Sequence, residues 1–243
     1  MRTAVVTGAS SGIGEATARA LAADGWRVVC AARRVERVRA LARELGPDGV
    51  SRHLDVTDQA SVDALAASLD RCDLLVNNAG GAKGLTPIAE ADDSEWRWMF
   101  ETNVLGAVRM TRALLPKLIA APAATVVNVV SIAGRYAYAG GGGYNAAKFG
   151  ERALTEVLHR ELAGTSVRVT EIDPGLVATE FSLVRFAGDE DAAAAVYEGI
   201  QPLTAADVAE AIRWVAARPA HVNIDALTIT TRDQVGPAKV PRA

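Results

Sequence analysis

The sequence predicts an α/β protein in one domain over residues 1–243, a doubly wound parallel sheet of about seven strands with helices on both faces. Three observations predict it. Short apolar or β-branched runs alternate with Ala-rich stretches of helical spacing from end to end, and that order requires parallel strands joined by right-handed crossovers. The runs are apolar throughout instead of alternating, as in a sheet covered on both faces. No linker, repeat or low-complexity tract divides the chain, since the Gly140–Gly143 run is too short to join domains.

The elements follow in order. Ala4–Thr7 is the first strand, and it runs through a glycine-rich turn into a helix from Glu15. Val28–Ala31 is the second strand. In the next helix Val38, Leu41, Ala42 and Leu45 share one face, with Arg and Glu opposite. Val50–Asp55 is a weaker strand. Val62, Leu65, Ala66 and Leu69 repeat the helical spacing after a cap at Thr57 or Asp58. Leu74–Asn77, Thr125–Val130, Val167–Ile172 and Ala226–Thr230 complete the strands, with helices over Glu95–Ile119 and Gly143–Leu162 between them. Residues 178–203 break the rhythm: Phe181, Arg185, Phe186 and an acidic GDED run appear without a strand, which suits a lid over a site. The tail, 232–243, with Pro237 and Pro241, reads as an extended arm, frayed or packed on a neighbouring subunit.

Composition removes several classes of function. Half of the residues are hydrophobic and 23% are charged, unlike a disordered chain. A net charge of −3 leaves no basic surplus for counterion release, so no nucleic-acid partner is expected. Cys30 and Cys72 both sit in apolar runs and point to a reducing compartment, hence the cytoplasm. The N-terminus lacks the apolar core of a signal peptide, and the least charged stretch, Leu118–Gly134, is broken by Pro122, Asn128 and Ser131, so no membrane role is expected. His53, His159 and His221 are scattered without ligand spacing, and no metal is expected.

Between the first strand and its helix stands Gly8-Ala9-Ser10-Ser11-Gly12-Ile13-Gly14. Glycines here let the backbone approach a pyrophosphate, and the helix N-terminus supplies free N–H donors and a positive dipole. The second strand ends in Arg33 and Arg34, where an NAD site would place an acid for the ribose 2′-hydroxyl. A guanidinium fork suits a 2′-phosphate in charge and geometry, so NADP is expected.

Ser131 closes the strand Thr125–Val130, and Tyr144 and Lys148 stand four residues apart on a helix, hence on one face. A phenol titrates near 10, and lowering it by roughly 3 units takes about 4 kcal/mol. An ammonium at about 4 Å with an effective dielectric near 20 supplies about that much. Lys148 is therefore expected to make Tyr144 a working acid–base near neutrality.

With these residues together, the sequence resembles the short-chain dehydrogenase/reductase family, in its single-domain branch. The resemblance covers nearly the whole chain and implies a Rossmann-type fold. TGASSGIG (Thr7–Gly14) resembles the cofactor loop, LDV with Asp55 and Val56 the adenine-side strand end, and NNAG with Asn78, Ala79 and Gly80 the segment touching the cofactor ribose. TNVLG places Asn103 where the family has a proton-relay asparagine. Ser131, Tyr144 and Lys148 match the catalytic residues, and PGLVATEF, with Pro174, Gly175, Val177 and Thr179, the segment contacting the nicotinamide carboxamide. The last third is similar to NADP-dependent 3-hydroxy acid and serine-type dehydrogenases. Ala147, where many members have Ser, and a loose GAKG at Gly81–Gly84 depart from the pattern.

The resemblance implies an oxidoreductase in which Tyr144 exchanges the substrate hydroxyl proton while hydride passes to or from the nicotinamide. Lys148 tunes Tyr144 and binds the nicotinamide ribose, Ser131 holds the substrate oxygen, and Asn103 links the site to solvent through a water. A hydroxy-acid carboxylate needs a cation. Arg185 is the candidate and Arg135 its competitor; the alternative for Arg185 is a surface pair with Asp189 or Glu190. Tyr136 and Tyr138 are candidate walls, whereas Trp96, Trp98 and Met99 read as core or subunit contacts. Rival functions are a carbonyl reductase for other ketones or aldehydes, a non-catalytic NADP(H)-binding regulator, and an isomerase with retained cofactor. The helices Glu95–Ile119 and Gly143–Leu162 correspond to those that pair subunits in the family, so a homo-oligomer, tetramer or dimer, is expected.

Overall fold

The computed structural model describes residues 1–239. Seven parallel strands form the sheet: β1 (Thr3–Thr7), β2 (Arg27–Ala32), β3 (Gly49–His53), β4 (Leu74–Asn77), β5 (Ala124–Val129), β6 (Val167–Pro174) and β7 (Ala226–Ile229). Their order is β3-β2-β1-β4-β5-β6-β7. The chain therefore builds outward in one direction from β1 to β3, then returns to β4 and builds the other way. That reversal opens a crevice at the carboxyl ends of β1 and β4, where open α/β sheets bind their ligands.

Neighbouring residues on each strand explain why the runs are apolar throughout. Val6, Val28, Cys30, Val127 and Ile172 face one side, packed on Ala18 and Leu21 of α1 (Gly12–Ala23) and Val208 and Ile212 of α9 (Ala205–Ala216). Val5, Val29, Leu75, Val126 and Val169 face the other, packed on Val62 and Leu65 of α3 (Gln59–Ala67), Met110 and Leu114 of α5 (Gly106–Ala120), and Leu158 of α6 (Gly142–Glu161). Each such side chain, fully withdrawn from water, contributes about 1.5–3 kcal/mol. Helix α2 (Val35–Glu44) buries Val38, Leu41 and Ala42.

Local expectations are refined at three places. The first helix begins at Gly12, not Glu15, because the glycine turn itself supplies its first residues. Of the two cap candidates, Asp58 is the N-cap of α3, accepting from the Ala60 N–H at 3.0 Å, while Asp55 accepts from the N–H and hydroxyl of Thr57. The helix expected over Glu95–Ile119 is two, α4 (Asp93–Phe100) and α5, joined by a π-helical turn at Glu101–Leu105. There the Asn103 side chain donates to the carbonyl of Met99 at 2.6 Å and displaces the regular ladder.

The irregular insert contains two short helices, α7 (Glu180–Arg185) and α8 (Glu190–Ala195). It also has strands at its ends, where the sequence showed none: Val177–Ala178 pairs in parallel with Leu203–Thr204. The start of the tail folds onto its own chain. Gln234–Val235 pairs antiparallel with Ala238–Lys239, and the Gln234 side chain accepts from the Leu176 N–H at 3.0 Å. Pro241, with residues 240–243, lies outside the described residues. No helix among the described residues is long and apolar enough to cross a membrane.

Candidate active site

The carboxyl ends of β1 to β6 open onto a cavity of about 730 Å³. Gly8 adopts φ +68°, and a Cβ there would lie 2.8 Å from the Asn78 side-chain nitrogen. A Cβ on Gly14 would fall 2.6 Å from the carbonyl of Gly8. Only glycine keeps this turn tight and its backbone donors open to the cavity. Ser10, Ser11, Gly12 and Ile13 line the same end, and Thr179, the N-cap of α7, sits against Gly12.

Asn78 is held by β1: its N–H donates to the Thr7 hydroxyl and its side chain to the Thr7 carbonyl, both at 2.9 Å. The Ala79 N–H donates to the same hydroxyl. Behind them a buried chain of side chains crosses the sheet. Asn77 donates to Asn128 at 2.9 Å and Asn128 to Thr155 of α6 at 2.8 Å, tying α6 to β4 and β5. Gly80, Pro174, Gly175 and Val177 line the cavity beyond, with Asp55 and Val56 at its adenine end.

At that adenine end Arg33 lines the cavity and its charge acts on Asp55. Arg34 donates to Ser10 at 3.0 Å, to Ser11 at 2.5 Å and to Glu180 at 2.7 Å. Arg37 donates to the other oxygen of Glu180 at 2.7 Å. Hydrogen bonds from Arg37 and Arg34 hold the Glu180 carboxyl down at about 2. Sequence reasoning missed both Arg37 and Glu180; the spacing of Arg37 one helical turn from Arg34 was the available signal.

At the other end Tyr144 and Lys148 face the cavity together from α6, and Lys148 Nζ lies 5.9 Å from the Tyr144 ring centre. Ser131 lies beside them at the end of β5; its hydroxyl donates to Pro174 at 3.4 Å and accepts from the Ala133 N–H at 3.1 Å. Lys148 donates to the Val129 carbonyl at 3.0 Å and to Glu151 at 2.6 Å. The expected near-neutral phenol is corrected. Burial pushes Tyr144 above its ordinary value; Lys148 and a hydrogen bond with Ser131 pull it down, while Tyr138 and Glu151 push it further up. The sequence arithmetic omitted the cost of drying the phenol and the carboxylate behind the lysine.

Asn103, 1% exposed, bonds Gly81 and Met99, whereas Lys148 bonds Val129 and Glu151. Its side chain donates to the Gly81 carbonyl at 2.9 Å and accepts from the Gly81 N–H at 3.1 Å. A Cβ on Gly80 would strike the Asn103 oxygen and lie 3.8 Å from Lys148 Nζ, so only glycine separates the two.

The two candidate cations separate cleanly. Arg135 donates to Asp173 at 2.5 Å and to Glu171 at 2.7 Å, so both arms of its fork are committed beneath the site. Arg185 donates to the carbonyl of Gly84 at 2.9 Å and to the Tyr138 hydroxyl at 3.1 Å. Its guanidinium stands 5.6 Å from the Tyr144 ring centre, and one buried nitrogen, Nη2, has no hydrogen-bond partner. The suspected pair with Asp189 or Glu190 does not form; each of these carboxylates belongs to α8, Asp189 as its N-cap and Glu190 in its first turn. The loose Gly81–Gly84 stretch is thus the strap that holds Arg185, since the Gly84 N–H also donates to the Arg185 carbonyl at 3.0 Å. Tyr136, Tyr138 and Phe181 line this end. So does Trp98, expected in the core, whereas Met99 is buried and Trp96 packs beside it. No cluster of three His, Cys, Asp or Glu suited to a metal ion occurs among the described residues.

A glycine cradle, a strand-end serine and a Tyr–Lys pair on one helix define a dinucleotide-dependent oxidoreductase site, and comparison with known proteins agrees. The family model for short chain dehydrogenases matches residues 2–189, and the chain belongs to that family. It is 59% identical over 238 residues to an uncharacterised oxidoreductase of Mycobacterium tuberculosis, covering 98% of this chain and 94% of the relative. It is 45% identical over 226 residues to the NADP-dependent 3-hydroxy acid dehydrogenase YdfG of Salmonella typhi, covering 91% of each. The closed form of a serine dehydrogenase complexed with NADP+ superposes with a TM-score of 0.93 at 42% identity over 96% of both chains.

Proposed function

We propose that the protein is an NADP-dependent dehydrogenase of small 3-hydroxy acids, working through Tyr144, Lys148 and Ser131. The carrying observation is Arg185, which lines the cavity, stands over the Tyr144 ring and forms no ion pair among the described residues, so a cation without a counter-ion sits beside the proton-transfer group. A carboxylate on Arg185 would bring a hydroxyl carbon one carbon further along the substrate toward Tyr144, the spacing a 3-hydroxy acid offers. The relatives named as 3-hydroxy acid and serine dehydrogenases support the same substrate class.

The cavity fits NADP: the Gly8–Gly14 turn would hold the pyrophosphate, Arg33 and Arg34 the 2′-phosphate, and Asn78 and Lys148 the nicotinamide ribose, with Arg37 joining Arg34 on Glu180. When bound, the cofactor supplies hydride acceptance or donation. In the oxidation direction Tyr144 takes the hydroxyl proton, Ser131 holds the substrate oxygen, and the Lys148 ammonium stabilises the phenolate. Asn103 holds Gly81 and the helical bend, and a water between it and Lys148 would link the site to solvent. The helices α7 and α8 form the lid, with Arg185 delivered by α7. Phe100, Phe149 and Val157, exposed on α4 and α6, are the surface for a homo-oligomer, and the buried, unpaired Cys30 and Cys72 suit the cytoplasm.

The test is a screen of NADP+ reduction over 3-hydroxy acids and neutral alcohols, repeated with Arg185→Ala. A rise in KM of at least about tenfold for hydroxy acids, with neutral alcohols unchanged, is expected. Equal effects on both substrate types would reject the carboxylate role.

A further inference from the structure

The Lys148 ammonium stands in a place where an ammonium should not persist. The side chain is 7% exposed, at the inner end of α6 against the carboxyl end of β5. A lysine this dry loses its proton readily; buried lysines titrate as low as about 5–6. A neutral amine would keep its hydrogen bonds and lose its pull on Tyr144, yet the proposed chemistry depends on that pull. Something must hold the charge. The structure offers one anion in contact with it: Glu151, one helical turn further on, with its side chain 3% exposed and Oε2 at 2.6 Å from Nζ.

We propose that Glu151 is a positioning residue of the dehydrogenase reaction, the counter-ion that keeps Lys148 charged and aimed at the cavity. This deepens the assignment of Tyr144 and Lys148 as the proton-transfer centre and rests on it. An ammonium has three donors. Glu151 takes one and the Val129 carbonyl a second at 3.0 Å, which leaves the third for the cavity that Lys148 lines. The two bonds fix the Nζ position from opposite elements, α6 and β5, so the lysine is set before any ligand arrives. Glu151 is itself anchored, because its backbone carbonyl accepts from Thr155 at 2.8 Å, and Thr155 accepts from Asn128 of β5.

Other charges face this pair from the elements packed around it. From β6 come Asp173 and Glu171, both buried and both bound to Arg135, with Arg152 of α6 3.9 Å from Glu171. From the lid comes Arg185, over the Tyr144 ring, and from the loop before α6 comes Tyr138. Arg135 bridges both acids and balances one of the two, burial and the neighbouring Asp173 pushing Glu171 up to about 8, and no hydrogen bond joins any of these groups to Nζ. Burial works against the Lys148 proton; Glu151, first among the charges, then Tyr144 and more weakly Asp173 restore it and carry the group above its ordinary value, while burial raises the Glu151 carboxyl and its contact with the lysine draws it back down. The sign follows: removing the Glu151 charge lowers the pH at which Lys148 loses its proton.

The experiment measures carbonyl reduction with NADPH against pH, because that direction needs Tyr144 protonated and Lys148 charged. In Glu151→Gln the fall in kcat/KM on the alkaline side should move at least about 2 pH units toward acid. Activity near pH 6 should stay within a fewfold of wild type, and Glu151→Asp should keep the wild-type profile. NADPH binding, followed by fluorescence without substrate, should weaken in the Gln variant over the same pH range. A structural role would lower the rate equally at every pH. An unmoved alkaline limb in a folded Gln variant overturns the proposal. So does a uniform loss that Asp fails to restore. Should the Gln variant not fold, Glu151→Met fills the same volume without charge and is read identically. Tyr144→Phe in the same assay separates the levels: if it still turns over, the assignment of the centre falls, whereas an inert Phe variant with an unmoved Gln profile sinks Glu151 alone.

Discussion

Two cation–carboxylate contacts stand at opposite ends of one cavity, and their lengths barely differ. Arg34 meets Glu180 at 2.7 Å at the end beside the glycine turn, and Lys148 meets Glu151 at 2.6 Å at the end beside Tyr144. Burial separates them. The first pair has side chains 43% and 40% exposed, the second 7% and 3%. In water an ion pair is worth about 0–1 kcal/mol and gives way to a better anion. In a dry pocket, removing one partner strands the other and costs about 3–5 kcal/mol. The same contact is therefore an exchangeable place-holder at one end and a fixed part of the machinery at the other. Distance alone does not tell them apart.

The largest expected effect tests the buried end. Tyr144→Phe should lower kcat on the order of 10³-fold, as expected for loss of a general acid–base, while NADPH affinity by fluorescence titration stays within about threefold. Substantial residual turnover would mean that the buried end is not where protons move. Next is the frame beneath it. Asn128 is fully buried and links Asn77 of β4 to Thr155 of α6. Asn128→Ala takes one buried hydrogen bond from each partner, leaving Asn77 bound to Thr111 and Thr155 to Glu151, and opens a small void, so unfolding in denaturant should show a loss of about 2–3 kcal/mol. A change under about 0.5 kcal/mol would show that α6 is held to the sheet by its apolar face alone.

The contrast also explains what was legible in the sequence. Tyr144 and Lys148 share a face because of local helical spacing, and the glycine turn follows a strand within a single β–α unit, so both could be read directly. Apolar runs gave the strands because each residue packs on one helical layer or the other. The ion pairs could not be read this way. Glu180 meets Arg34 across 146 positions, and Arg135 meets Asp173 across 38, so only the folded sheet brings them together. Glu151 was within local reach of Lys148, but a glutamate at that spacing reads as a solvated helix face; its burial comes from β5 and β6. The raised phenol was missed for the same reason. It is dried by residues far apart in the chain, among them Ala82, Met99 and Ala133, with the Phe181 ring 5.5 Å away.

The smallest effect belongs to the exposed end, and its sign is opposite. Glu180 occupies Arg34 and Arg37, and Arg34 is, with Arg33, one of the two guanidinium groups proposed for a 2′-phosphate. A phosphate dianion must displace the carboxylate or share the arginines with it, so the carboxylate competes with the cofactor. Glu180→Gln should therefore bind NADP+ about three- to fivefold more tightly, the equivalent of a surface pair of about 1 kcal/mol, while NAD+ affinity stays the same. The pH dependence has a definite sign. The arginines hold this carboxyl at about 2, below its ordinary value, so the pair is complete above that ordinary range and is lost only as pH falls through about 2. The gain in the variant should consequently be flat from about pH 5 to 9 and should shrink in high salt, which screens exposed charges. Equal tightening for NAD+ would show that Glu180 restrains the lid rather than the phosphate. Removing a carboxylate should thus help at the wet end and harm at the dry one, and it is water, more than geometry, that sets the two apart.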